Sequence, residues 1–482
     1  MGPLTKSLTK PGCWKRGVAA CTGSSQCGDA QRVAAIFFPQ AKALGCEVDA
    51  GCSPALQRKI VAAATRGRSY EEASESLGDL ADVQVSTKQC QRVAQRIGRE
   101  RVAQRDERRK QFEQLPLPQQ CAPPADAPAN DWSGRVAAVL MDGGRAQLRD
   151  ERWGTPQQPG EKKRRWWREP KAACVATFLG RPHDSDPLPE IPACLLDPLW
   201  VVPRIQEIKR TRGGEPGDGE TPVETAAPGN ASASGTDEPR RDESDVASGV
   251  EAADPQPTPE SRAEHWSPPP LVKSVVATFG SYERLGELTR VEAWQRGFDA
   301  ASRKVFLGDG HLSNWATRDR QFSAYTAVTD LLHALSYVYT AAVESSPDME
   351  AAWHRYSDWA SATWQGRVQD VLAELRPLAA AATDADAAKR LASCVTYLHN
   401  NADRMRYDLY RQQGMPITTT LIESTIKQIN RRMKGTEKFW DEGGEPQLQL
   451  CADRLSDTRP LQAFWQQRAS SQTGFCNRCA KT

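Results

Sequence analysis

A chain of 482 residues is long enough for two or three domains with ample cores, and it contains no run of 18 apolar residues from which a membrane span could be built. Its thirteen cysteines are an odd number without a framework, and its N-terminus lacks a continuous apolar stretch. The expectation is a reduced, cytoplasmic protein without a signal peptide. The net charge of +2 conceals a division: between Gly213 and Glu264 thirteen acids face three arginines, a local −10 that leaves +12 on the rest. Such a balance suits a protein that handles polyanions.

Residues 1–35 read as irregular. Cys13, Cys21 and Cys27, and the pair Cys476 and Cys479, invite a zinc reading, but neither group holds two close pairs, so the spacing leaves zinc binding open. Three helices follow, each with a start signal. Ser53-Pro54 supplies an N-cap with proline at the first helical position, Ser69 and Glu72 have capping-box spacing, and Ser86 opens a helix with Gln89 three residues on. The third helix sets Cys90, Val93, Ala94 and Ile97 on one face and Lys88, Gln89, Arg92, Gln95, Arg96 and Arg99 on the other. A polar, basic last helix suggests a helix-turn-helix-like DNA-binding unit, with a small bundle and a solvated face as the alternative. A charged helix continues beyond it, and the proline-rich stretch at 116–131 reads as a linker.

An apolar run from Val136 to Met141, then Asp142-Gly-Gly and a second short strand, has the pattern of a hairpin. "KAACVATFLG" offers another strand. The stretch 209–270 has too few large apolar residues to fold and is expected to be disordered. Order resumes with a strand at "VKSVVATFG", a helix, and an apolar strand ending at Asp309. A short strand then passes into an amphipathic helix through Asp330 and His333, and 348–413 is almost wholly helical. The expectation is a mixed α/β core with a helical insertion.

The last helix carries two stripes. Ile422, Ile426, Ile429 and Met433 recur at core spacing, while Glu423, Lys427, Asn430 and Lys434 lie one step round. Asp142 and Asp309 each end an apolar strand and precede a glycine. If the helix packs beside the sheet, these two acids and Glu423 converge. Such a cluster repels itself unless cations fill it, and two divalent ions are the usual solution in phosphoryl transfer. Taken singly, each acid has a plainer reading, as a turn residue or a first-turn helix acid.

The segments "VLMDGGR", "VFLGDGHLSNW", "DLLHALSYVY", "TYLHNNADRMRY" and "GMPITTTLIESTIKQINRRMKGTEKFW" resemble bacterial insertion-sequence transposases of the DDE class, and in particular the Kra-type insertion-sequence family. The likeness covers roughly 36–465 apart from the acidic stretch. It implies an RNase H-like core with an all-α insertion before the last acid, and two Mg²⁺ or Mn²⁺ ions held by Asp142, Asp309 and Glu423. Asp330 and His333 match an Asp-x-x-His signature read as active-site support. Lys427, Gln428, Arg431, Lys434 and Trp440 match the helix of the last acid.

The resemblance also implies DNA partners, namely the terminal inverted repeats of its own element and target DNA, a homo-oligomer in a synaptic complex, and a place at the nucleoid. It divides the chain into a degenerate zinc-ribbon region (1–35), a helical DNA-binding domain (36–115), a linker (116–131) and a core in two parts (132–208 and 271–345). The acidic insertion (209–270), a helical insertion (346–413), the final catalytic helix region (414–465) and a tail (466–482) complete it. Thr418-Thr419-Thr420 departs from the Gly-Ser-Gly of many relatives. A non-catalytic DNA-binding regulator derived from a transposase, and a plain RNase H-type nuclease, are the rival readings.

Overall fold

The computed structural model describes residues 52–128, 131–144, 146–148, 167–168, 170–211, 267–435, 438–441 and 443–473. Both cysteine groups, the 1–35 region and most of the acidic insertion lie outside them. Among the described residues no helix is long and apolar enough to cross a membrane.

The serine start signals act as the sequence leads one to expect. Helix α1 (Pro54–Arg66) begins with Ser53 Oγ accepting from the Leu56 N–H at 3.3 Å. Helix α2 (Tyr70–Ala81) begins with Ser69 Oγ accepting from the Glu72 N–H at 3.0 Å, while the Glu72 carboxylate accepts from the Arg68 N–H at 2.5 Å. Helix α3 (Thr87–Glu113) opens on Ser86 and runs unbroken for 27 residues, so the third helix and the charged helix after it are one rod. A short turn of helix, α4 (Leu117–Gln120), ends this region. Leu56, Ile60, Val61, Ala73, Leu77, Val93 and Ile97 from the three helices bury one another, as amphipathic spacing requires.

The main sheet has the order β5-β4-β1-β6-β7. Strand β1 (Arg135–Gly143) pairs antiparallel with β4 (Lys171–Leu179), which pairs antiparallel with β5 (Pro270–Thr278). Strands β6 (Lys304–Gly308) and β7 (Thr326–Thr329) run parallel to β1. Val136 to Met141 are fully buried, as befits a central strand covered on both faces. Ala137, Val139 and Met141 face a cluster that includes Leu285 and Leu288 of α6 (Tyr282–Gln295) and Trp315 of α7 (Leu312–Gln321). The expected mixed α/β core is present.

One sequence expectation fails. The strand after Asp142-Gly-Gly, β2 (Ala146–Leu148), does not fold back on β1 as a hairpin. It belongs to a small second sheet, antiparallel to β3 (Trp167–Arg168) and parallel to β8 (Phe439–Trp440). The Gly144 N–H is taken by the Pro170 carbonyl at 2.9 Å, so the chain leaves the main sheet at the glycines. The antiparallel place beside β1 goes to β4, whose nine residues match it in length and apolar content.

After β7 come α8 (Leu331–Glu344), α9 (Met349–Trp364), α10 (Val368–Ala381), α11 (Ala385–Asn401) and α12 (Tyr407–Gln412), so that 349–412 is mostly helical, as the sequence pattern leads one to expect. Helices α13 (Thr420–Met433), α14 (Gly444–Leu455) and α15 (Pro460–Thr473) close the chain. The N-terminal helices are packed against this end: Leu450, Phe464 and Trp465 join their core. Helix α3 crosses α14 so closely that a Cβ on Gly98 would lie 2.5 Å from the Pro446 carbonyl oxygen. Between β4 and β5, the described residues 192–211 form a 3-10 turn (Ala193–Leu196) and α5 (Pro198–Thr211), with Val201 and Ile205 buried one turn apart.

Candidate active site

Parallel pairing puts three aspartates in a row. Leu140 of β1 is in register with Leu307 of β6, the last such pair, and Asp142 and Asp309 each follow it by two residues, near enough for the Asp309 charge to raise the Asp142 carboxyl. Gly308 of β6 is in register with Thr329 of β7, which brings the next residues, Asp309 and Asp330, to the same edge. All three therefore stand where the parallel strands end and loops begin, the position at which a sheet can hold functional side chains rigidly.

The helix bearing Glu423 lies on the face opposite α6 and α7. Asp142 shares the phase of Val136, Ala138 and Leu140, and Cys174, the β4 partner of Leu140, has its thiol 3.5 Å from Thr425 Oγ1 of α13. The apolar stripe behaves as read from sequence: Ile422, Ile426, Ile429 and Met433 are buried. Glu423 is half-buried, whereas Lys427, Arg431 and Lys434 are exposed. Trp440 is buried and its indole N–H is spent on the Met433 carbonyl at 2.7 Å.

Each acid has its own support. The Asp142 carboxylate accepts from the Gly143 N–H at 2.7 Å. Asp309 accepts from the His311 N–H and the Asn314 side-chain amide, both at 3.0 Å, and its carbonyl accepts from Tyr397 of α11 at 2.8 Å. Gly310, at φ +96°, lets that tyrosine ring lie against the turn, since a Cβ there would meet the ring at 2.5 Å. Glu423 accepts from Thr419 Oγ1 at 3.0 Å. Thr419 thus orients the acid instead of capping the helix through its side chain.

Asp330 is fully buried and its hydrogen bonds bind two elements together. One carboxylate oxygen takes the His333 backbone N–H and the His333 Nδ1, each at 2.8 Å. The other takes the Thr419 N–H at 2.6 Å. Asp330 is therefore a strut between the start of α8 and the start of α13, and through Thr419 it fixes Glu423. Among the described residues, the group whose ligand atoms lie within 4.8 Å of one another is Asp330, His333 and Glu423, with His333 Nδ1 4.0 Å from the Glu423 carboxylate. Asp142 and Asp309 stand beside this group.

The electrostatics agree with the geometry. Burial, and then the neighbouring Asp309 charge, push the Asp142 carboxyl up to about 7. Burial and the Asp330 charge raise Glu423 as well, against the lowering effect of His333 and Lys427. Two carboxylates and an imidazole nitrogen within 4.8 Å of one another, with further carboxylates beside them, make a donor set that could hold a divalent cation.

Sequence reading missed the residues that hold the site from behind. Tyr407, fully buried, donates to the Thr329 carbonyl at 2.9 Å, and Tyr410 donates to that of Ala327 at 3.2 Å, so α12 grips β7 just before Asp330. Arg432 of α13 donates to the Ala64 carbonyl at 2.9 Å and to that of Arg68 at 3.1 Å, with Tyr70 and Trp440 against its guanidinium. On α3, Lys88, Arg92 and Arg99 are exposed, while Gln89, Gln95 and Arg96 are half-buried. Gln89 donates to Cys52 Sγ at 3.4 Å. Of the six polar residues expected to meet DNA on that helix, three are exposed.

No protein-family model matches the chain, and no curated protein matches it.

Proposed function

We propose that this protein is a DDE-class DNA transposase, which cuts and joins DNA strands at the ends of its own element. The observation that carries the reading is that Asp142 and Asp309 follow neighbouring parallel strand segments, with the charges of Asp309 and of Glu423 both near enough to raise the Asp142 carboxyl. The strand order, with three antiparallel strands followed by two parallel to the first, supports reading the sheet as an RNase H-like core. The sequence motifs named above supply the class of reaction.

Asp142, Asp309 and Glu423 would hold divalent ions, Mg²⁺ or Mn²⁺. Bound there, a pair of such ions supplies Lewis acidity for the attacking and leaving oxygens of an in-line displacement. The chain's own residues keep the carboxylates in place. The Gly143 N–H orients Asp142, Asn314 and the Tyr397-held turn orient Asp309, and the Asp330–Thr419 link orients Glu423. Such fixed geometry matters because small displacements of ligands are expensive in rate. In the reaction a water oxygen bonds to phosphorus as the bond to the 3′ oxygen breaks. The freed 3′-hydroxyl oxygen then bonds to a target phosphorus as that phosphorus loses its own 3′ oxygen, which leaves as a hydroxyl, the proton of the attacking group balancing it. Lys427, Arg431 and Lys434, exposed on the same helix, would neutralise phosphates on either side.

Joining separates this reading from a plain nuclease. Pre-cut element ends incubated with supercoiled plasmid and Mg²⁺ should give covalently joined products. Plasmid nicking without joined products would point to a nuclease.

A further inference from the structure

The C-terminal ends of α1 and α13 meet at one corner of the molecule. Arg432 ties them through the carbonyls of Ala64 and Arg68. Lys438, just beyond α13, donates to the Arg431 carbonyl at 3.4 Å. Arg68, Arg431 and Lys434 present exposed side chains here. We propose that this corner, built from Arg68, Lys438 and the Arg431–Lys434 end of α13, binds the phosphate backbone of duplex DNA leading away from the Glu423 end of that helix. The proposal rests on the transposase reading and adds to it a surface formed jointly by the N-terminal and final helices.

Three considerations carry it. First, cations are gathered here: Lys438 lies within electrostatic reach of Arg432 and Arg68, which add to the main effect of burial in pushing its ammonium down, with Glu72 as the opposing charge. A polyanion relieves that repulsion. Second, the path is continuous. From Glu423 the exposed Lys427, Arg431 and Lys434 follow α13 straight to the corner. Third, the length fits a duplex. The eleven residues from Glu423 to Lys434 span about 16 Å at the helical rise, on the order of five base pairs at 3.4 Å each. The corner contact therefore falls about five base pairs from the scissile phosphate. Basic side chains near helix C-termini can also serve only to offset the helix dipoles, and the experiment separates the two roles.

The test measures the salt dependence of binding to duplex DNA from the flanks of the protein's own gene, with the full chain and with R68Q/K438Q. Arg68 meets Arg432 through its backbone carbonyl, which the substitution keeps, and an unchanged Tm verifies folding. The log–log slope should fall by about two, at roughly 0.9 per lost phosphate, with affinity down on the order of tenfold at 0.15 M salt. Ethylation interference should weaken in the variant at phosphates about five base pairs from the cut. Unchanged slope and affinity in a variant whose wild type cuts DNA would overturn the surface and leave the enzyme standing. A wild type that binds no duplex at all would overturn both.

Discussion

Asp142→Asn is expected to raise the Tm of the metal-free protein at pH 8 and to abolish its response to Mg²⁺. In the wild type the Asp142 carboxyl is pushed up to about 7 by burial and by Asp309, well above its value in an unfolded chain. The folded protein thus binds this proton more tightly than the unfolded one. The associated stability is complete below about pH 4 and is lost as pH rises through about 7. Glu423 is raised too, so it acts in the same direction. The metal-free wild type should therefore be more stable at pH 5 than at pH 8, and Mg²⁺ should restore stability at pH 8 while doing little at pH 5, where protons occupy the site. Asparagine removes the charge that opposes folding and, on the proposed function, a metal ligand at the same time. Thermal melts of both proteins at the two pH values, with and without Mg²⁺, check this. A wild type whose Tm ignores pH and Mg²⁺ alike would contradict the account of these acids.

Breaking the Arg101–Asp453 pair should be the most destabilising single change outside the apolar core. The guanidinium meets both carboxylate oxygens, at 2.8 and 3.1 Å, with side chains only 4% and 3% exposed. Arg101→Ala leaves the Asp453 charge buried without this partner, at a cost of about 3–5 kcal/mol. The pair joins α3 to α14, beside the close crossing at Gly98. The loss should accordingly appear as a lower Tm and as faster proteolysis in the N-terminal helices. Replacing both residues, as in R101M/D453L, should recover most of the loss, because two apolar side chains of similar volume leave no unpaired charge. A double variant as unstable as the single one would mean that the arginine acts through packing alone.

Local signals in the sequence were good guides to local structure. Ser53, Ser69 and Ser86 open their helices because side-chain capping needs only the next three residues. The two stripes of α13 were legible because helical period alone sorts Ile422, Ile426, Ile429 and Met433 from Lys427 and Lys434. Asp142 and Asp309 could be singled out as acids at strand ends, but their adjacency comes from the β1–β6 register, which no local pattern encodes. The same limit explains the failed hairpin. Asp142-Gly-Gly has turn chemistry, yet the partner of β1 was decided by β4 and not by the turn. Longer connections have no local signal: Arg101 and Asp453 are 352 positions apart, and nothing in the sequence distinguishes Arg432, with its distant carbonyl partners, from the other cations of its helix. In the sequence Asp330 belongs to a signature, whereas its role as a strut depends on the Thr419 N–H arriving from another element.

The most direct test of the central claim is Mg²⁺-dependent nicking of labelled DNA from both flanks of the gene, with wild type, Asp142→Asn and Glu423→Gln in parallel. The account predicts cuts at two matching positions by the wild type, reduced on the order of 10³-fold or more in each variant, since each loses several kcal/mol of transition-state stabilisation. Equal cutting by all three proteins, or DNA binding without any cut in the wild type, would contradict it.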